Sequence, residues 1–128
     1  MNMEINMINV PDVPNIGAKM KSGGYRLVVI TCTPVSEGYV VTYSFDKDYK
    51  LQHYRISVQD GVKIPSIGPS YGGAFVYENE IHDLYGFTFE GMTLDFKGTF
   101  IKTSIPYPFK KKEQTAPTVT VVNKEAKE

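Results

Sequence analysis

Three apolar and β-branched runs follow one another between residues 25 and 58, separated only by short turn-forming segments. Tyr25 to Thr33 is nearly continuous in such residues, the pattern of a strand covered on both faces. Tyr39 to Phe45 alternates, with Tyr39, Val41, Tyr43 and Phe45 on one side and Val40, Thr42 and Ser44 on the other. Tyr49 to Val58 is the next strand, where Tyr54, Ile56 and Val58 oppose His53, Arg55 and Ser57. Pro34 to Gly38 reads as a turn and Asp46-Lys47-Asp48 as a hairpin loop. Connections this short join antiparallel neighbours, so the chain is committed to an antiparallel sheet with an apolar face to cover.

Two helical segments are available to cover it. Asp12 is placed to cap a helix from Val13 to Lys21, with Pro14 in its first turn and Val13, Ile16 and Met20 on one face. Gly23-Gly24 stops it. The second helix spans Tyr71 to Tyr85, where Ala74, Tyr77, Ile81 and Leu84 make one apolar stripe. Gly86 is placed to end it, because the position after a helix often needs a positive φ. Phe87 to Phe89 and Phe100 to Thr103 read as short extended pieces, and Gly61 to Pro69 as an ordered crossing. The expected fold is an α+β two-layer sandwich, an antiparallel sheet of three to five strands packed against two helices. Residues 1–11 read as an irregular lead-in, 12–105 as the folded domain, and 106–128 as a polar tail, disordered on composition. Within that tail, Thr118 to Val122 is β-branched and suited to adding to a sheet edge.

Composition narrows the function classes. Fourteen basic residues balance fourteen acidic ones, which argues against general polyanion binding. No window approaches the roughly 18 apolar residues of a membrane span. The amino terminus lacks the basic and apolar regions of a secretory signal. The single cysteine, Cys32, lies in a strand-like run and reads as a core residue of a protein from a reducing compartment. No Gly-x-Ser-x-Gly nucleophile or Gly-rich phosphate loop is present.

The densest chemistry lies at residues 75–91, where Glu78, Asn79, Glu80, His82 and Asp83 are set among apolar residues. On a helix the acids and His82 are expected to project away from the apolar stripe. Glu78 and His82 are four apart, and Glu80 and Asp83 three apart, so each pair shares a face. A metal site needs three or four convergent ligands; two histidines and one cysteine are a thin supply. Glu78 and Glu80 sit two apart and diverge, which disfavours paired acid–base work. A small stand-alone metal enzyme using Glu78, Glu80 and His82 is the alternative these residues leave open, beside a solvated helix face.

From Glu78 to Gly91, Glu-Asn-Glu-Ile-His-Asp-Leu-Tyr-Gly-Phe-x-Phe-x-Gly, the sequence resembles the signature of the thirty-kilodalton-subunit family of respiratory complex I. The spelling Glu-Asn-Glu-Ile-His-Asp-Leu is more similar to the family's short relatives in the Ech-type energy-converting nickel–iron hydrogenases. Gly24 to Thr33 and Val41 to Asp46 suit that subgroup, and the resemblance covers residues 12–103. Asn79 stands where the longer family has Arg and Met92 where it has His, and the Arg-x-Leu-type segment is missing around Leu94 to Lys97. These departures weigh against a quinone-reductase subunit, the runner-up.

The resemblance implies a non-catalytic accessory subunit with no cofactor of its own. Nickel–iron and iron–sulfur centres are expected in partners, the hydrogenase large subunit and the small iron–sulfur subunit. Its implied location is cytoplasmic, peripheral on the inner face of the cell membrane through the complex. The expected contacts to the large subunit are Glu78, Glu80, His82 and Asp83, with Tyr85, Phe87 and Phe89 as apolar anchors. Gly86 and Gly91 are the expected structural turns.

Overall fold

A computed structural model describes residues 2–92, 94, 97 and 106–110. The chain runs β1 (Asn2–Met7), a short 3-10 turn (Val10–Asp12), α1 (Val13–Ser22), β2 (Arg26–Pro34), β3 (Tyr39–Lys47), β4 (Lys50–Val58), β5 (Lys63–Pro65), a second 3-10 turn (Gly72–Ala74), α2 (Phe75–Tyr85) and β6 (Thr88–Glu90). Four strands form one sheet in the order β1-β4-β3-β2, and two helices pack on it, which is the α+β architecture expected. The expectations of an extended piece at Phe100–Thr103, of disorder beyond Lys110, and of a sheet-edge segment at Thr118–Val122 lie outside the described residues.

β2, β3 and β4 are antiparallel neighbours, as their short connections require. The β3–β4 turn is tighter than the sequence suggests. Asp46 and Lys47 remain in the strand, Lys47 pairs with Lys50, and Asp48 and Tyr49 take φ of 50° and 66° as a two-residue turn. The alternation in β3 and β4 is faithful: Tyr39, Val41, Tyr43, Phe45, Tyr54, Ile56 and Val58 are all buried on the helix side. β2 is not covered on both faces; as an edge strand it buries Ile30 and leaves Thr31 and Thr33 exposed.

The lead-in is not irregular. Residues 2–7 form β1, parallel to β4 with Met3 opposite Leu51, Ile5 opposite His53 and Met7 opposite Arg55. The sheet is therefore mixed rather than purely antiparallel. A partner nearly fifty residues away in the chain leaves no local signal of this pairing. The crossing at 61–69 also contains a strand: β5 pairs in parallel with β6, and α2 is the connection between them. Parallel neighbours need such a crossover, so this small unit fixes α2 relative to residues 63–69.

α1 starts where Pro14 permits, but Asp12 makes no side-chain cap. Its carboxylate instead accepts the Asn9 N–H at 3.1 Å. Gly17 on α1 faces Ile67, where a Cβ would come within 2.6 Å of that side chain. The helix thus approaches the 65–69 loop more closely than any larger residue allows. Residues 106–110, read as the start of the tail, pack against α2. The Phe109 N–H donates to the Leu84 carbonyl at 2.7 Å, and the Phe109 and Tyr85 rings meet edge to face at 5.6 Å.

Candidate functional site

The motif helix α2 is buried on two sides. Ala74 and Ile81 of the expected stripe are buried, with Tyr77 and Leu84 half-buried beside them. Glu78, Asn79 and Asp83 are buried as well, which corrects the expectation that the acids project outward. The β5–β6 pair and the loop after β5 cover the flank that local periodicity assigns to solvent.

Glu78 is fully buried and serves as a structural acceptor. Its carboxylate accepts the Ser66 hydroxyl at 2.7 Å and the Ile67 N–H at 2.9 Å, and Ser66 Oγ in turn accepts the Gly68 N–H at 2.9 Å. These bonds tie α2 to the loop following β5. Burial pushes the Glu78 carboxyl above its ordinary range, while the Ser66 and Ile67 hydrogen bonds pull it back. The Tyr43 hydroxyl feels the Glu78 charge and is itself buried without a hydrogen-bond partner among the described residues. Burial first, and that charge second, push its phenol upward.

The other polar residues divide between interior and surface. The Asn79 amide donates to the Phe75 carbonyl at 2.8 Å and the Leu94 carbonyl at 2.7 Å, holding the segment after β6 to the helix. His82 Nδ1 lies 3.1 Å from Asp83 Oδ1, so the pair that forms is 82–83 and not the i,i+4 pair of Glu78 and His82. Phe87 and Phe89 are buried in the core, Phe87 edge-on to Tyr39 with ring centroids 5.1 Å apart. Of the seven expected contact residues, Glu78, Asp83, Phe87 and Phe89 are therefore internal to this chain rather than on its surface. Glu80, His82 and Tyr85 remain partly accessible.

These three are joined by residues outside the expected contact set. A groove of about 320 Å³ between β2 and α2 is lined by Cys32, Glu80, Leu84, Tyr85 and Phe109. Tyr107 stands edge-on to His82 at 5.8 Å. The aromatic run Pro106-Tyr107-Pro108-Phe109, just ahead of Lys110-Lys111-Lys112, was the available signal for this contact. Burial pushes the Tyr85 phenol upward and the Cys32 thiol to about 12, so Cys32 stays protonated at neutral pH and is a poor nucleophile. Gly86 ends the helix with φ of 90°, and Gly91 turns the chain after β6 with φ of 82°. Both are conformations that favour glycine.

No group of three or more His, Cys, Asp or Glu side chains placed to hold a metal ion occurs among the described residues. No helix among them is long and apolar enough to cross a membrane. A cavity of about 700 Å³ lies at the other end of α2, near Lys21, Arg26 and Tyr71. It touches α2 only at its first turn, through Tyr77, and Arg26 there is held by Asp46 at 2.6 Å.

The fold is similar to a chain in the solved structure of the membrane-bound sulfane sulfur reductase, an archaeal respiratory membrane complex. The TM-score is 0.71 and the identity 17%, over 84% of this chain and 68% of that one. No curated protein sequence matches the chain. The family model described as respiratory-chain NADH dehydrogenase, 30 Kd subunit, matches residues 8–119, a span that contains α2, its glycine terminus and strands β2 to β4 beneath it. The chain belongs to the respiratory-chain NADH dehydrogenase 30 Kd subunit family.

Proposed function

We propose that this chain is a non-catalytic accessory subunit of a membrane-bound, energy-converting nickel–iron hydrogenase, docked on the catalytic large subunit. The complex would take electrons from reduced ferredoxin, reduce protons to H2, and couple this to ion translocation. The observation that carries the reading is family membership over most of the chain, with the Glu-Asn-Glu-Ile-His-Asp-Leu motif inside it. The nickel–iron and iron–sulfur centres would reside in the large and small partner subunits. This chain would sit peripherally at the cytoplasmic face, held to the membrane by the complex.

The geometry supports a role in packing. The motif acid Glu78 is spent on holding α2 to the β5 loop, and the accessible remainder, Glu80, His82 and Tyr85, flanks an aromatic rim of Tyr107 and Phe109. An apolar and aromatic centre bordered by charge is the composition in which interfaces concentrate binding energy. The stand-alone metal enzyme loses its ligand set, because Glu78 turns toward Ser66 while His82 turns toward Asp83.

One observation favours a second reading. The likeness to a chain of a respiratory membrane complex that is a sulfur reductase is compatible with a quinone or ferredoxin oxidoreductase subunit. Purification of the tagged chain from its own cells in gentle detergent, with partner identification and metal analysis, separates these. A large subunit bearing nickel and iron is the expected result. A large subunit without nickel would move the assignment to the second reading. A chain recovered alone with its own metal would overturn both.

A further inference from the structure

We propose that the open face of the sheet along β1 is a second docking surface, fitted to an apolar protein segment that carries a carboxylate. The proposal rests on the reading above that the chain works within a complex. It concerns the face opposite the helices, not the groove beside α2.

The alternation of β1 is inverted relative to the rest of the sheet. Met3, Ile5 and Met7 lie on the open face and are 61%, 49% and 64% exposed. Glu4 and Asn6 point to the helix side, where the Asn6 amide reaches the His53 carbonyl at 3.4 Å. An edge strand in water ordinarily carries its charges outward and its apolar residues inward. Here three large apolar side chains in a row continue onto half-buried Leu51 of β4. A contiguous apolar patch of this kind marks a contact surface.

The charge on this face identifies what the occupant must bring. Arg55 is paired in register with Met7, and its Nε is buried without a hydrogen-bond partner among the described residues. Two other polar side chains of the face, His53 and Arg26, are already engaged. His53 Nδ1 lies 2.7 Å from Ser44 Oγ, and Arg26 is bonded to Asp46 through two contacts of 2.6 and 2.9 Å. No described carboxylate pairs with Arg55. Arg55 is half-buried, and its guanidinium, with no ion pair among the described residues, is complemented most strongly by a carboxylate meeting its terminal nitrogens. An apolar segment with one Asp or Glu set to meet Arg55 therefore complements both features.

The test compares complexes purified from cells carrying the tagged wild-type chain, Ile5→Lys, Arg55→Glu, or the control Tyr49→Lys. Tyr49 is an exposed aromatic at the β3–β4 turn, outside the row of Met3, Ile5 and Met7. Ile5→Lys and Arg55→Glu should each lower recovery of partner subunits by about tenfold, with Tyr49→Lys unchanged. Melting temperatures of the isolated variants exclude unfolding as the cause. A measurement independent of variant stability uses Arg55→Lys in the assembled complex with a carbodiimide, which joins amine to carboxylate with loss of water. Mass spectrometry should find that position linked to an Asp or Glu of another subunit. Normal recovery of all variants with wild-type complex intact would overturn this proposal alone. A link to a second copy of this chain would overturn the assigned occupant, and wild-type chain recovered without partners would overturn the proposal together with the functional reading.

Discussion

The two faces of the sheet are built from alternate residues of the same strands, yet they are filled by opposite rules. Toward the helices, Tyr43, Phe45, Tyr54 and Ile56 are sealed, and even Glu78 and Asn79 of α2 are turned inward and bonded. Away from the helices, Met3, Ile5 and Met7 stand in water, and the buried Arg55 N–H lacks an acceptor among the described residues. The covered face is a core the chain completes by itself. The open face reads as a core the chain begins and another molecule completes. For a subunit, the unfinished surface is more informative about function than the conspicuous motif.

The contrast breaks most readily at Phe45. Phe45→Ala should lower unfolding free energy in urea by about 3–5 kcal/mol, whereas Ile5→Ala in the isolated chain should stay within about 0.5 kcal/mol of wild type. Equal losses at both positions would show that the open face is also core. Glu78→Ala should cost about 1–3 kcal/mol, because the Ser66 hydroxyl and Ile67 N–H lose their buried acceptor.

A smaller effect distinguishes charge from hydrogen bonding at Glu78. Its folded pKa is raised, so the folded state holds this proton more tightly than the unfolded chain does. That contribution is fully present below the ordinary value of 4.5 and is lost as pH rises through the folded value. Glu78→Gln should therefore gain on wild type as pH rises above 4.5, then level off, in paired denaturation curves. A pH-independent difference would place the folded value at its ordinary position. Smallest of all, Tyr43→Phe removes a buried hydroxyl that has no described partner and should be neutral or stabilising by about 1 kcal/mol or less.

Much of the covered face was legible in the chain itself. The period of two in Tyr39–Phe45 and Tyr54–Val58 follows from the pleat, and Gly86 announced its positive φ. What was not legible depended on partners distant in sequence. Met3, Ile5 and Met7 alternate correctly for a strand, but only the pairing with β4 reveals it, and only the sheet order shows the row facing outward. The acids of α2 misled for a related reason. A helical wheel assigns one face to the core, whereas α2 is held between the sheet and the loop at Ser66 and Ile67, so Glu78 found donors where the wheel placed water.

The central claim, that this chain acts through its surfaces as a subunit, is tested most directly by hydrogen–deuterium exchange on the chain alone and in the complex recovered from its own cells. The account predicts new protection in two separated stretches, β1 at residues 2–7 and the α2 end with residues 107–110, while the already buried β3 changes little. Identical exchange in the two states, or a chain that never leaves its cells with a partner, would contradict it.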